Sequence, residues 1–162
     1  MSETQLFGVT KKSNLILIGE CKNSFYGARC IWQTMYEKYI PDNKYLDMDE
    51  LNKVWELQNK NIDYCDKVIL ISTFDRFFLL KDELPEYLEM LKQFIVNNSL
   101  QQNENLNKQN SILKKVLSFN KYIGYVWNQT SINECIWQNY NFLISKNHFS
   151  IKDYRRNYES TN

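Results

Sequence analysis

The residues best placed to do chemistry lie in two short polar stretches. The first is Trp127, Asn128, Gln129, Thr130, Ser131, Ile132 and Asn133. Its amides and hydroxyls offer several donors and acceptors without charge. It follows a run that reads as a strand, and connections leaving rigid strands are where binding residues gather. The same residues also fit a polar turn. In that reading Thr130 or Ser131 caps a helix opening at Glu134, Cys135, Ile136 and Trp137, because their hydroxyls accept from free backbone N–H groups. The second stretch is Thr73, Phe74, Asp75 and Arg76. Asp75 beside Arg76 fits either a functional pair or a turn with a surface ion pair. The candidate binding residues are therefore Trp127, Asn128, Gln129, Thr130, Asn133, Asp75 and Arg76. If the two stretches meet, they form one site.

Other chemistry finds less footing. His148 is the single histidine, and the four cysteines, Cys21, Cys30, Cys65 and Cys135, have wide, irregular spacing. Metal sites need clustered ligands. Nucleophilic catalysis needs a base within reach of Ser, Cys or Thr. Cys30 or Cys135 with His148 is the pairing available, and no spacing supports it. The four glycines stand apart, so no glycine-rich phosphate loop or nucleophile elbow forms. Asp63, Asp66 and Glu134 read as solvated carboxylates near strand ends. No cofactor, metal ion or catalytic set is expected.

The charge narrows the partners. Twenty basic side chains face nineteen acidic ones, for a net charge of +1. A dedicated nucleic-acid binder shows a basic excess, and this chain has none. The N-terminus lacks the basic and apolar segments of a secretory signal. No apolar run nears the ~20 residues a bilayer span requires. These features predict a cytoplasmic protein with reduced thiols. Its rings, among them Trp32, Tyr36, Trp55, Phe94 and Trp127, fall at helix or strand spacing and read as core.

Elements must position the two stretches. Residues 5–10 and 14–20 read as strands joined by Lys11, Lys12 and Ser13, a hairpin. Leu15, Ile16, Leu17 and Ile18 are apolar on both faces, so that strand is expected to be covered or central. Ala28, Ile31, Trp32, Met35, Tyr36, Tyr39 and Ile40 recur at helical steps. Asn23 or Ser24 caps that helix, and Pro41 stops it. A second helix over 47–60 carries Asp47 as its cap, with Leu51, Val54 and Trp55 inward. Residues 67–71, KVILI, form a β-branched apolar run that predicts a central strand. Residues 77–80 predict another. Asp82 then caps a helix with Pro85 in its first turn and Leu84, Leu88, Leu91 and Ile95 on one face. Residues 97–110 are rich in Asn and Gln and read as a solvated low-complexity loop. Ile112, Leu113, Val116 and Leu117 suggest a short helix. Residues 122–127 predict a further strand, and 142–144 a strand or turn.

The expected order is ββααββα(α)β. That predicts a single α+β domain over residues 1–150, with a largely antiparallel sheet of about five strands and helices mainly on one face. Residues 151–162 read as a polar C-terminal tail. Three functions fit. The first is a non-catalytic cytosolic protein-binding module such as an inhibitor, an immunity-type protein or an adaptor, since aromatic and Arg residues are the usual interface anchors. The second is a small enzyme built from Asp75, Arg76, Asn128 and Gln129. The third is a sensor that binds a small polar ligand at the loop 127–133.

Overall fold

A computed structural model describes residues 3–22, 26–41, 46–129 and 135–159, with the side chains of residues 26 and 156–159 left aside. The chain opens with β1 (Glu3–Thr10) and β2 (Leu15–Lys22), which pair antiparallel. Their four-residue link, 11–14, turns because Ser13 takes φ 66°, a left-handed conformation common in such hairpins. The Ser13 N–H donates to the Thr10 carbonyl at 2.9 Å.

The helix α1 (Tyr26–Tyr39) follows. It buries Ala28, Ile31, Trp32, Met35 and Tyr36, the face its spacing predicts. The expected caps at Asn23 and Ser24 lie outside the described residues. α2 (Met48–Glu56) starts as expected, with the Asp47 carboxylate accepting from the Glu50 N–H at 2.9 Å. A 3-10 turn, Leu57–Asn59, ends it.

The run KVILI is not a strand. It forms most of α3 (Tyr64–Ile71), and Val68, Ile69, Leu70 and Ile71 are wholly buried. A short continuous apolar run suits a buried strand or a helix buried all round, and periodicity alone does not separate them. Capping bonds mark where the helix starts. Asp63 accepts from the Asp66 N–H at 3.2 Å, and the Lys67 N–H donates to the Asp63 carbonyl at 2.9 Å. Val68, Ile69, Leu70 and Ile71 each contribute roughly 1.5–3 kcal/mol once inside.

The strand expected over 77–80 shrinks to β3 (Leu79–Leu80). A 3-10 turn, Lys81–Glu83, leads into α4 (Leu84–Asn97), which buries Leu84, Tyr87, Leu88, Leu91, Phe94 and Ile95. Asp82 is exposed and does not cap it; the Glu83 carboxylate accepts from the Leu80 N–H at 3.2 Å instead. Pro85 sits in the first turn as expected.

The Asn/Gln tract is only partly loop. Ser99 at φ 55° closes α4, and the Leu100 N–H reaches back to the Ile95 carbonyl at 2.8 Å. Asn103 then caps α5 (Glu104–Val116), accepting from the Leu106 N–H at 2.9 Å. Leu106, Ile112, Leu113 and Val116 bury one side of it. β4 runs over Tyr122–Gln129, two residues longer than expected. Residues 135–144 are turns rather than a helix or strand. The expected tail carries α6 (Ile151–Glu159), whose Ile151 is fully buried.

Among the described residues the sheet has four strands rather than about five, in the order β2-β1-β4-β3, and its strands pair antiparallel. β2 is therefore an edge, not a centre. Ile16 and Leu17 are exposed there. Leu6, Cys21 and Tyr125 pack against the helices in one cluster. Val9, Phe78 and Val126 form a second cluster with Trp137 and Phe142. The helices thus cover one face and the segment 135–149 covers the other. Gly124 allows the second cluster to close. A Cβ there would stand 2.6 Å from the Leu79 carbonyl oxygen. All four cysteines are free thiols. No helix among the described residues is long and apolar enough to cross a membrane.

Candidate functional site

The stretch 73–75 leaves the C-terminus of α3, and 127–129 ends β4. They line one small cavity of about 70 Å3 together with Thr4, Ser72 and Gln109. That volume holds about two waters at liquid density. Thr73, Phe74, Asp75 and Gln129 also border a larger depression of about 370 Å3, walled by Trp32, Trp55 and Gln58. The floor of this groove comes from three elements that the fold brings together: α1, α2 and the turn after α3.

Local bonds fix its walls. The Trp32 indole N–H donates to the Thr73 hydroxyl at 2.9 Å. That hydroxyl donates to the Leu70 carbonyl at 2.7 Å, so it ties the end of α3 to α1. Trp55 meets Trp32 edge to face, with ring centroids 5.7 Å apart and planes at 79°. This is a favoured geometry for aromatic pairs. Phe74 is half-buried and rests edge-on against Phe149, at 6.3 Å. Gln58 is held from outside the groove, because Tyr154 of α6 donates its O–H to Oε1 at 2.5 Å. Asp75 is exposed at the rim.

The seven candidate residues separate. Asp75 and Gln129 border the groove, and Asn128 joins them in lining the small cavity. Arg76 lines neither and reaches the Asn147 carbonyl at 3.4 Å. Trp127 is an anchor. Its N–H donates to Gln109 Oε1 at 3.1 Å, and its ring packs on Phe77 and Tyr87. Asn128 donates to Gln5 Oε1 at 3.3 Å, and Gln5 donates to Glu20 at 3.1 Å, a polar row across three strands. Thr130 and Asn133 lie outside the described residues, as do the caps expected at Thr130 and Ser131. Trp32, Trp55 and Gln58 were not legible as site residues. The spacing that marks Trp32 and Trp55 as core is genuine, and it carries no sign that the two rings border a groove.

Other chemical groups are engaged elsewhere. Ligand atoms of Asp63, Cys65 and Asp66 lie within 4.8 Å of one another. Asp66 already receives the Lys38 ammonium and the Tyr39 hydroxyl, each at 2.6 Å. Burial, with Asp66 and Asp63 beside it, pushes the Cys65 thiol up to about 12. Protein partners thus account for this cluster without an ion. Burial likewise holds the Cys21 and Cys30 thiols above their ordinary value. His148 stands among Phe78, Tyr140 and Phe142, three of the rings in or against the second cluster, with the Tyr140 hydroxyl 2.7 Å from Nδ1.

No family model, curated protein or solved structure matches this chain. Its function must be read from the groove. There the geometry offers aromatic rings, two primary amides, one hydroxyl and one carboxylate. That set can hold a ligand by stacking, hydrogen bonding and one charge contact. The histidine and the raised thiols are not among the described residues that border the groove.

Proposed function

We propose that this chain is a non-catalytic cytosolic protein-binding module, of inhibitor, immunity or adaptor type, and that it seats part of its partner in the groove between α1, α2 and residues 73–75. The observation that carries the reading is the edge-to-face pair of Trp32 and Trp55 beside Thr73, Asp75 and Gln129. Tryptophan dominates binding energy at interfaces because it buries a large, rigid ring at small entropic cost. A polar rim around such rings supplies register and excludes wrong partners.

Quantitative affinity capture with the intact chain and its Gln129→Trp variant tests the proposal. Gln129 ends β4, half-buried at the groove's border, so a larger ring there fills the space. A stoichiometric partner should come down with the wild type. Titrated as a purified pair, it should bind the variant about tenfold more weakly or worse, the scale of an interface anchor lost. Melting temperatures should match. Equal affinity for both chains, or turnover of a small molecule with no partner, overturns the proposal.

A second reading rests on volume. About 370 Å3 falls within the range of small-molecule pockets. A sensor that binds a small polar ligand would use the same walls. A metabolite that raises the melting temperature of the wild type and not of Gln129→Trp would favour it, since selective binding to the folded state stabilises by mass action.

A further inference from the structure

Within that binding reading, the geometry points to a specific occupant: we infer that the groove takes an arginine side chain of the partner, its guanidinium against the Trp32–Trp55 pair and its charge on Asp75.

The charge is the first reason. Asp75 is the only acidic or basic side chain among the described residues that border the groove. No cation pairs with it among the described residues; its neighbour Arg76 points to the Asn147 carbonyl instead. The complement of an apolar groove with one carboxylate is an organic cation. Aromatic faces attract such cations through the ring quadrupole, tryptophan most strongly.

The donor pattern is the second reason. A guanidinium is planar, more weakly hydrated than an ammonium, and carries five N–H donors in a fork that fits carboxylates and stacks on rings. Beside Asp75 the groove offers the side-chain amides of Gln58 and Gln129. Gln58 Oε1 already accepts from Tyr154, and an amide oxygen has two lone pairs. Acceptors spread around a carboxylate suit a fork better than a point charge.

A matched set of capped tripeptides tests the assignment: glycine–arginine–glycine, the same peptide with neutral citrulline, and the same with norleucine. Indole N–H signals of Trp32 and Trp55, assigned by their Phe variants, report binding by NMR. The arginine peptide should shift both signals and saturate in the millimolar range that one side chain's contacts allow. Citrulline should bind about threefold more weakly or worse. Asp75→Asn should weaken the arginine peptide by about threefold, as for an exposed ion pair, and leave the citrulline peptide unchanged. Equal affinity for arginine and citrulline, an Asp75→Asn variant that does not discriminate, or no saturable shift from the arginine peptide overturns the inference. Saturation by the norleucine peptide alone also overturns it, while keeping the groove as a binding site. The binding-module reading stands or falls separately, on capture by Gln129→Trp.

Discussion

At the scale of single residues, polar groups inside this protein are spent on structure more than on chemistry. Asp66 shows it. The side chain is almost fully buried, yet Lys38 and Tyr39 both meet it, and the same residue's N–H is capped by Asp63. A buried carboxylate is tolerable only with such partners. The Tyr39 hydroxyl is pushed up to about 12 by burial and by that carboxylate. His148 gives a prediction of its own. Burial lowers its pKa below the ordinary 6.5, with a smaller opposing pull from Asp153. A base whose folded pKa is depressed binds fewer protons folded than unfolded. Its contribution is therefore present above pH 6.5 and is lost as the pH falls through the folded value. Urea unfolding between neutral and mildly acidic pH should show the wild type losing stability relative to His148→Asn, which does not titrate. Parallel curves for the two would refute this account of His148.

Secondary elements here are set by their ends as much as by their stripes. α3 begins where Asp63 caps it, although its interior reads as a strand. α5 grows out of a tract of amides because Asn103 caps it and Leu106, Leu113 and Val116 share a side. The junction between α4 and α5 carries strain. Ser99 holds φ 55° in a reversal where the Leu100 N–H bonds the Ile95 carbonyl. Such reversals favour glycine, because a Cβ is crowded in the left-handed region. Ser99→Gly should leave the structure in place and raise stability by roughly 0.5–1 kcal/mol, offset in part by the extra freedom of glycine when unfolded. Chemical denaturation checks it. A loss of stability would mean that the Ser99 side chain holds the turn.

For the molecule as a whole, the C-terminal segment completes the body rather than trailing from it. Ile151 is wholly buried, the Lys152 N–H donates to the buried Glu83 carboxylate at 2.9 Å, and Arg155 pairs with Glu86. α6 also steadies Gln58 at the groove, so the last element in sequence braces the proposed site. Ile151→Ala should cost about 2–5 kcal/mol, the range for emptying a buried aliphatic position. Lys152→Ala, exposed on the same helix, should change stability by no more than about 0.5 kcal/mol. Equal small effects would show that α6 is not part of the cooperative unit.

The sequence by itself determined what depends on neighbours along the chain. The β1–β2 hairpin, the buried face of α1, the Asp47 cap, Pro85 and the stripe of α4 are all legible, since each is a local pattern of turn, cap or period. The α+β class follows from them. Tertiary structure alone decided the rest. Residues 68–71 are apolar on every side, and an element buried all round shows no period to betray whether it coils or extends. The groove is similar. Trp32 and Trp55 lie on separate helices, and 73–75 comes after a third. Their meeting depends on how three helices pack, and that is fixed by burial summed over the whole core rather than by any spacing between the residues themselves.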